Sequence, residues 1–497
     1  MKLTPLALIL TLACVACTTN LPKQQNAQSC VTAINKNFDR VLPCYHQTQA
    51  ARPLFYSATG TSIRSGVKIL SYDLTSQSWS PNDAVTPAYW SHQVNIFIPE
   101  KVTSKQALLV INNGSRGTPP DASKAPTDFS TETLQAIAQK THNIIVAVNN
   151  VPNQPLLYQG DSQGKSEDAS VAYSWAQFLD APQKNAFMPL QIPMMAAVTK
   201  AMDLAEQELK PWDIHRFIVT GISKRGWTSW HTAIVDTRVD AIVPFVFDAL
   251  DFSKFMARTY QTYGHNWPIA LAPYYQAGIP TKQGTPDFES LIDITDPLRY
   301  LSSDHAKRLS IPKYIVNTSG DDFFAPDSAR FYIDQLPGET SLRVIPNSDH
   351  YGVRPYTKEV LVNFINRFQN NKPLPTLSSK LMQDAHQSFL TIRFSEQPVS
   401  LTQWTAMNPL ARDFRYACGI RYKETALALT ATVADSVRVP LPSIDKGWLA
   451  SFVEARFADG MITTTPVYIT PDGTYPVIAP PNTGGACQTL PIKTARQ

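Results

Sequence analysis

Three polar side chains of this sequence have the types and the order that nucleophilic attack on a carbonyl carbon requires. Ser223 lies in the stretch RFIVTGISKRGWTSW (216–230), where an apolar run ends in Gly-Ile-Ser. Asp321 and His350 each follow a further apolar run. A serine hydroxyl becomes a strong nucleophile when a histidine accepts its proton and an acid orients that histidine. The order Ser, Asp, His, each after a predicted strand, therefore indicates a Ser-His-Asp catalytic triad.

The residues around the serine resemble a sharp strand-to-helix turn. Such a turn exposes the serine hydroxyl, and small residues on either side of the serine relieve its crowding. Gly221 stands two positions before Ser223, but the next glycine is Gly226, three positions after it. The pattern is thus G-x-S-x-x-G, a departure from G-x-S-x-G. The alternative interpretation is a serine that only caps the helix that follows.

Two adjacent aspartates compete for the role of the acid. The sequence Asp-Asp-x-x-x-Pro resembles the acid loop of prolyl-oligopeptidase-like enzymes, in which the first aspartate is catalytic. We therefore predict Asp321 as the acid and keep Asp322 as the alternative. A simple Asp-containing turn, and a surface-loop position for His350, are the competing interpretations.

Backbone N–H donors for a developing oxyanion are expected beside the serine and on an earlier loop. Lys224 directly follows Ser223, and the segment INNGSRGTPP (111–120) supplies Gly114 and Ser115 after a predicted strand. Donors of this kind stabilise the charge that forms in the transition state. An ordinary glycine-rich turn is the alternative for this segment.

Charged and aromatic residues flank the predicted nucleophile. Lys224 and Arg225 could attract an anionic substrate group, but we expect them to pair with Asp240 or Asp248. Trp227, like Trp230, is expected to pack the helix rather than to stack on a ligand.

Two acidic residues and the cysteine spacing bear on other kinds of site. Glu167 and Asp168 are predicted either to bind an amino group of a substrate or to cap a helix, as first-turn acids do. The sequence has no Cys-x-x-Cys motif and no His/Cys cluster, so we expect neither a metal nor a cofactor.

Six short apolar runs indicate the strands that position these residues. Because they are apolar on both faces, they are typical of parallel strands covered by helices on either side. Helical patterns lie between them at 130–141, at 188–209 after Pro193, and at 326–336. Alternating strands and helices predict a doubly wound α/β domain. The six runs are ALLVINN (107–113), NIIVAVNN (143–150), RFIVTG (216–221), AIVPFVF (241–247), KYIVNTSG (313–320) and SLRVIPN (341–347).

The regions around these runs complete the predicted fold class. HQVNIFIP (92–99) alternates polar and apolar residues, as expected of an antiparallel edge strand. We predict an α/β-hydrolase-type, doubly wound, mostly parallel sheet over residues 30–372, with a cap insertion at 248–310. Short strands separated by turn residues then predict a C-terminal all-β, sandwich-like domain at 375–497.

Composition and charge restrict the partners of the chain. The 497 residues are 43% apolar and 17% charged, with a net charge of +4 and no sustained Lys/Arg run. A nucleic-acid partner is therefore not expected. After the N-terminus no segment reaches about 20 uninterrupted apolar residues, so no transmembrane helix is predicted.

The N-terminus, MKLTPLALILTLACVACTTN, has the charge and apolar core of a signal peptide, which we assign to residues 1–17. Either Cys14 or Cys17 could carry a lipid, although neither has leucine three positions before it. Ordinary cleavage after Ala16 is equally compatible. The expected location is periplasmic, anchored to the outer membrane, or secreted.

Four further cysteines are expected to be oxidised in such a compartment. They are Cys30, Cys44, Cys418 and Cys487, and they allow three pairings. Proximity in sequence favours Cys30–Cys44 and Cys418–Cys487.

A series of motifs resembles the PhoPQ-activated pathogenicity-related family, which also includes secreted autocrine proliferation repressors of amoebae. The resemblance runs from about residue 80 to 470 and implies an exported protein with an α/β-hydrolase domain and a C-terminal β domain. The family usually has Asp-Glu where this chain has Asp321-Asp322, which favours Asp321. Ser166 stands where the family commonly has arginine, so an anion-binding role there is not expected. The motifs are VPNQPL, SED, PMMAAVTKAMD, GISKRGWTSW, SGDDFFAPDS, PNSDH and ARDFR.

Two hypotheses about function follow from these residues. The first is an exported serine hydrolase that cleaves a small ester or peptide substrate through an acyl-enzyme on Ser223. The second is a catalytically silent, secreted signalling or binding protein that uses the hydrolase fold as a scaffold. The intact Ser, Asp and His favour the first, and the displaced Gly226 leaves room for the second.

Overall fold

The computed structural model describes residues 37–117, 123–384, 387–429 and 436–491. The predicted signal peptide with Cys14 and Cys17, and also Cys30, lie outside the described residues.

A nine-stranded mixed sheet runs through the molecule. The first twelve strands of the chain are β1 (Phe55–Arg64), β2 (Val67–Ser78), β3 (Val85–Thr86), β4 (Tyr89–Pro99), β5 (Gln106–Ile111), β6 (Ile145–Val148), β7 (Leu157–Tyr158), β8 (Arg216–Ile222), β9 (Val239–Phe245), β10 (Trp267–Pro268), β11 (Lys313–Thr318) and β12 (Thr340–Ile345). Nine of them pair in the order β1-β2-β4-β6-β5-β8-β9-β11-β12. Strand β3 pairs with β7 outside this sheet.

The six apolar runs form the parallel part of this sheet, as predicted. Strands β6, β5, β8, β9, β11 and β12 are parallel neighbours, while β1, β2 and β4 pair antiparallel. Residues 92–99 were predicted to form an antiparallel strand at an edge of the sheet; the antiparallel pairing is correct, but the edge position is wrong. Strand β4 is not at an edge, since it pairs with β2 on one side and β6 on the other.

Helices cover both faces of the sheet. They are α1 (Val41–Ala50), α2 (Thr131–Thr141), α3 (Glu167–Asp180), α4 (Gln191–Glu208), α5 (Lys224–Val235), α6 (Phe252–Thr262), α7 (Ala272–Gln276), α8 (Pro286–Thr295) and α9 (Thr357–Gln369). Helices α2 and α9 pack together on one core, and α1, α4 and α5 pack together on the other. This arrangement confirms the doubly wound α/β class.

The helical pattern was right in two places and wrong in one. Ser130 caps α2 and its hydroxyl accepts the N–H of Thr133, and α4 begins two residues before Pro193. Residues 326–336 instead form two 3₁₀ turns, Ser328–Phe331 and Ile333–Gln335. The turns are separated by Tyr332, which leaves helical geometry at φ −130° while its buried hydroxyl donates to Asp248.

The C-terminal region forms separate antiparallel sheets. Strands β13 (Leu377–Gln383), β14 (Ser388–Phe394) and β17 (Ser436–Pro440) make one. Strands β15 (Ser400–Asn408), β16 (Lys423–Leu427), β18 (Trp448–Arg456), β19 (Ile462–Thr464) and β20 (Tyr468–Thr470) make the other. The last strand, β21 (Thr489–Leu490), pairs with β10. The all-β character predicted for this region is confirmed.

One predicted disulfide is present. Cys418 and Cys487 are joined by an S–S bond of 2.03 Å, and the pairing predicted for them is confirmed. The partner predicted for Cys44 lies outside the described residues. Within the ranges that the structure describes, no helix has both the length and the hydropathy of a membrane span.

Candidate active site

Ser223 occupies a strained turn between β8 and α5. Its backbone has φ 60° and ψ −125°, a conformation that non-glycine residues rarely adopt. The turn is anchored to the neighbouring strand, because the Ser223 N–H donates to the carbonyl oxygen of Phe245, the last residue of β9, at 2.9 Å. Ser223 as a whole is 9% exposed. This is the sharp strand-to-helix turn that the sequence predicted.

The spacing of the two glycines follows from how closely this turn packs. A Cβ atom on Gly226 would lie 2.8 Å from the carbonyl oxygen of Phe245 and 3.0 Å from that of Gly221. A Cβ atom on Gly221 would lie 2.6 Å from the carbonyl carbon and oxygen of Arg225. Both positions therefore require glycine. The G-x-S-x-x-G spacing places its second glycine against β9, where the helix begins.

Asp321 and His350 are in direct contact. The Oδ2 atom of Asp321 lies 2.8 Å from Nδ1 of His350, and both side chains are buried. Oδ1 of Asp321 accepts the backbone N–H groups of Phe323 at 2.8 Å and Phe324 at 3.2 Å. These bonds fix the carboxylate, and the carboxylate in turn fixes the orientation of the imidazole.

The second nitrogen of His350 and the hydroxyl of Ser223 are both without hydrogen bonds to the described residues. Nε2 of His350 is buried and unpartnered. The imidazole packs against the rings of Phe323 and Phe324, at centroid-to-centroid distances of 4.6 Å and 5.9 Å. Those two rings line the same cavity as Ser223. The structure thus places Ser223 and the Asp321–His350 pair around the same two phenylalanines.

The alternative acid, Asp322, has different surroundings. Its Oδ1 atom is buried, with no hydrogen-bond partner among the described residues. Burial raises the pKa of Asp322 to about 6, and the nearby carboxylates of Asp321 and Asp349 add to that rise. Of the two aspartates, Asp321 is the one that bonds to His350.

The residues predicted as oxyanion donors are in unequal situations. Lys224 is the first residue of α5, where a helix leaves its N–H groups unpaired. The N–H of Ser115 is already engaged, since it donates to the carbonyl oxygen of Lys124 at 3.0 Å. Gly114 adopts φ +113°, and with Ser115 it lines a cleft of about 450 Å³ that also includes Glu167.

Glu167 and Asp168 form an ion-pair cluster with the two cations that follow the serine. Nζ of Lys224 lies 2.8 Å from Glu167 and 3.1 Å from Asp168. Arg225 contacts both carboxylate oxygens of Glu167, at 2.8 and 2.5 Å. Burial alone would raise the pKa of Glu167, but the charges of Lys224 and Arg225 hold that pKa far below its usual value. These acids are therefore neutralised within the protein.

The predicted partners of Lys224 and Arg225 were wrong. Asp240 pairs with Arg216 at the far end of β8, and Asp248 accepts the hydroxyl of Tyr332 at 2.6 Å. Glu167 lies 57 residues before Lys224, so no local pattern in the sequence indicates this pair.

An apolar cavity of about 50 Å³ opens beside Ser223. Trp227 lines it and stacks on Phe247 at a centroid distance of 4.6 Å, in agreement with the packing role predicted from the sequence. Most of the other walls come from residues 249–280, within the segment predicted as a cap. The remaining lining residues are Asp168, Lys224, Ala249, Phe252, Phe255, Met256, Trp267, Leu271, Tyr274, Tyr275, Ile279, Pro280, Phe323 and Phe324.

One group of side chains in the described part of the chain has metal-ligand types in close proximity. It consists of Asp413, Cys418 and Cys487. The two sulfur atoms are bonded to each other, so they are not thiolate ligands.

Comparison with known proteins places the chain in a family. It is 30% identical over 407 residues to autocrine proliferation repressor protein A of Dictyostelium discoideum, covering 78% of this chain and 79% of that protein. Similar folds occur in acetyl xylan esterase 1 of Thermoanaerobacterium sp. JW/SL YS485 (13% identity, TM-score 0.41, 66% of this chain and 93% of that one). An acetyl xylan esterase of Paenibacillus sp. R4 is also similar (13% identity, TM-score 0.45, 69% and 99%). The family profile of the PhoPQ-activated pathogenicity-related protein matches residues 42–415. The chain belongs to the PhoPQ-activated pathogenicity-related protein family.

Proposed function

We propose that this protein is an exported serine hydrolase that cleaves an ester or peptide bond through Ser223, His350 and Asp321. The observation that carries the proposal is the buried Asp321–His350 pair at 2.8 Å, whose free Nε2 atom has no other partner in the described chain. A buried nitrogen without a hydrogen-bond partner lowers the stability of the fold, so its presence calls for an explanation such as a catalytic role. Ser223, on a strained turn, lines a cavity together with the two phenylalanines that pack on His350. Its hydroxyl is the group from which Nε2 would take a proton.

The reaction proceeds in two halves. Nε2 of His350 takes the proton of the Ser223 hydroxyl as Oγ attacks the carbonyl carbon, and Asp321 stabilises the imidazolium. The imidazolium then protonates the leaving group, and an acyl-enzyme remains on Ser223. Water, deprotonated by His350, attacks the acyl carbon and releases the acid and the free serine.

The oxyanion is assigned to two backbone donors. The N–H of Lys224, the first residue of α5, makes no intrahelical hydrogen bond. Gly114 lies in the loop after β5, and β5 is the neighbour of β8, the strand that leads to Ser223. A single donor of this kind is worth roughly 10²–10³ in rate. Ser115 is the weaker candidate, because its N–H already donates to Lys124.

The gap between Ser223 and His350 must close for this chemistry. Catalytic hydrogen bonds are often long or absent in free enzymes and tighten when substrate binds. Ser223 and His350 share no hydrogen bond in the structure, so if substrate does not bring them together, the second candidate function, a catalytically silent signalling or binding protein, applies. It is also consistent with the name of the Dictyostelium relative, a proliferation repressor.

A fluorophosphonate probe separates the two candidates. We expect the purified protein to be labelled, Ser223→Ala to lose labelling, and Ser290→Ala in α8 to keep it as the control. Ser223→Ala and His350→Ala should each lower kcat by roughly 10⁶ for any ester the enzyme turns over. A folded wild-type protein that no fluorophosphonate labels would favour the scaffold function.

Export is part of the proposal. The N-terminal segment supports it, and so does the Cys418–Cys487 disulfide, because structural disulfides persist in oxidising compartments. Fractionation of cells that express the full chain tests it, and recovery only in the cytoplasm would contradict it. Replacing Cys14 and Cys17 separately would show whether either one carries a lipid anchor.

A further inference from the structure

We propose that the cavity beside Ser223 is an acyl pocket, and that the substrates are esters of short, uncharged acyl groups of about two to four carbons. The inference rests on the proposed serine hydrolase function and adds a substrate class to it.

The position of the cavity makes it the place for the acyl group. Ser223 contributes to the lining, and helix α6 contributes Phe252, Phe255 and Met256 to the same lining. These three side chains are buried. A group bonded to the Ser223 oxygen would therefore extend directly between apolar walls.

The size of the cavity limits the acyl group. Its volume is about 50 Å³. For comparison, an engineered apolar cavity of about 150 Å³ in another protein is large enough to hold benzene. A short aliphatic chain is compatible with the smaller volume, whereas a phenyl ring or a long chain is not.

The walls are packed against one another and are not loose side chains. Trp227 stacks between Phe247 and Phe252, at centroid distances of 4.6 and 6.0 Å, and meets Trp175 edge-on at 5.6 Å. Its indole N–H donates to the carbonyl oxygen of Thr295 at 2.6 Å. Interiors packed in this way resist enlargement, so the small volume is a property of the pocket.

Apart from the Ser223 hydroxyl, the polar side chains of Lys224, Asp168 and Tyr274 at the cavity are already satisfied by the protein. Nζ of Lys224 is neutralised by Asp168 and Glu167, and the hydroxyl of Tyr274 donates to Asp168 at 3.1 Å. Tyr275, which is 36% exposed, lies towards the solvent. A polar or charged acyl group would lose its water without gaining a partner, which disfavours its binding.

A series of p-nitrophenyl esters tests the substrate class. The measured quantity is kcat/KM divided by the rate constant for alkaline hydrolysis of the same ester, which removes intrinsic reactivity. We expect the ratio to rise about fourfold for each methylene from acetate to butyrate. It should fall at least about tenfold for octanoate and for benzoate, which the packed walls exclude.

A matched ester isolates polarity from size. Methoxyacetate has the length of butyrate but places an ether oxygen among the apolar walls. We expect its normalised kcat/KM to be about tenfold below that of butyrate, because the oxygen finds no donor. Equal values would overturn the apolar character of the pocket.

A substitution in the lining tests whether this cavity determines the preference for acyl length. Met256→Ala should move the best substrate from butyrate to a longer acyl chain. The control is Met382→Ala in β13, which is exposed and should leave the profile unchanged. A folded Met256→Ala protein with the wild-type profile would overturn the proposal. If that variant does not fold, the wild-type ester series still decides.

Failure of this inference is distinguishable from failure of the proposed function. A protein that fluorophosphonate labels at Ser223 but that prefers octanoate or benzoate is a serine hydrolase with a different acyl site. A folded protein without labelling and without activity towards any ester overturns both.

Discussion

Asp321 and Asp322 are adjacent in sequence but have opposite surroundings. The carboxylate of Asp321 bonds to His350 and to two backbone N–H groups, whereas Oδ1 of Asp322 is buried without a partner in the described chain. A triad acid must hold the imidazole in one tautomer and stabilise its charged form. Only the first of the two carboxylates is in contact with the imidazole.

This difference predicts unequal effects of two conservative substitutions. Asp321→Asn should lower kcat by about 10⁴, because an amide favours the wrong tautomer of His350. Asp322→Asn should change kcat by less than about tenfold, since it removes no hydrogen bond to the imidazole. Steady-state kinetics on a p-nitrophenyl ester at constant pH measures both. Similar losses in the two variants would contradict the assignment of the acid.

A third carboxyl, Asp248, lies close enough to Asp321 for their charges to interact. It accepts the hydroxyl of Tyr332 at 2.6 Å and is 3% exposed. Burial raises the pKa of Asp248 to about 8, and the carboxylates of Asp321 and Asp327 add to the rise. Near neutral pH its protonated form therefore predominates, which limits the negative charge around Asp321.

The raised pKa of Asp248 predicts how stability depends on pH. In the unfolded chain an aspartate loses its proton near pH 4, whereas the folded protein keeps this one up to about pH 8. The free energy of unfolding therefore falls as pH rises across that window. Asp248→Asn removes this contribution while keeping an acceptor for Tyr332. Its stability relative to wild type should grow by up to about 1.4 kcal/mol per pH unit between pH 4 and 8.

Urea unfolding of both proteins at several pH values measures this difference, and other titrating groups cancel in the comparison. Parallel stability curves across the window would show that Asp248 titrates normally.

At the scale of elements, the β8–α5 turn depends on close backbone contact. Gly226→Ala would place a Cβ atom 2.8 Å from the carbonyl oxygen of Phe245, and backbone cannot rotate away as a side chain can. We expect a loss of about 2 kcal/mol in the free energy of unfolding and reduced labelling of Ser223. Gly60→Ala is the control, since a Cβ atom there would meet nothing within 4 Å. Equal stability of the two variants would contradict the packing argument.

The C-terminal region reaches two parts of the site through one disulfide. Tyr416 packs on Gly320, just before the acid, and its N–H donates to the Gly320 carbonyl oxygen at 3.0 Å. Cys418 follows two residues later and is bonded to Cys487. Strand β21 begins two residues after that and pairs with Trp267, which lines the cavity. The disulfide therefore ties the acid loop and the cavity wall to one another.

Replacing both cysteines tests this connection. The bond closes a loop across a sequence separation of 69 residues, so the Cys418→Ser/Cys487→Ser protein should lose about 4 kcal/mol of stability. We also expect a lower kcat at temperatures where the protein stays folded, because the acid loop loses its support. The double variant is preferable to a reductant, since Cys44 is also disulfide-bonded. Unchanged kcat would show that the disulfide stabilises the chain without positioning the site.

At the scale of the whole molecule, much of the sheet was predictable. Runs such as 216–221 and 341–347 are apolar on both faces because helices cover both sides, and they became β8 and β12. Because Ser223, Asp321 and His350 all follow parallel strands, their placement at one edge of the sheet could also be predicted. The interior position of β4 in the sheet could not be predicted. The alternation of polar and apolar residues in a strand shows which face is buried, but not which strands pair with it.

The surroundings of the site were less predictable for a physical reason. The contacts of Lys224 with Glu167 and of Tyr416 with Gly320 join residues far apart in sequence, and neither produces a local pattern. The aromatic walls of the cavity were visible only as a composition rich in Tyr, Trp and Pro over 248–310. Which of those rings face Ser223 depends on how this segment folds back over the sheet.

The C-terminal sheets share their apolar cores with the α/β sheet, although the sequence suggested a separate domain at 375–497. Phe452 belongs to one core with Trp230, and Val453 belongs to the other with Phe364. We therefore expect a single calorimetric unfolding transition for the whole chain.

Thr464→Val should lower the midpoint temperature of this transition, because it removes the acceptor of the buried Val344 N–H at 3.0 Å, at a cost of about 1–3 kcal/mol. The exposed Thr425→Val is the control, and two separable transitions would show instead that the C-terminal sheets unfold independently.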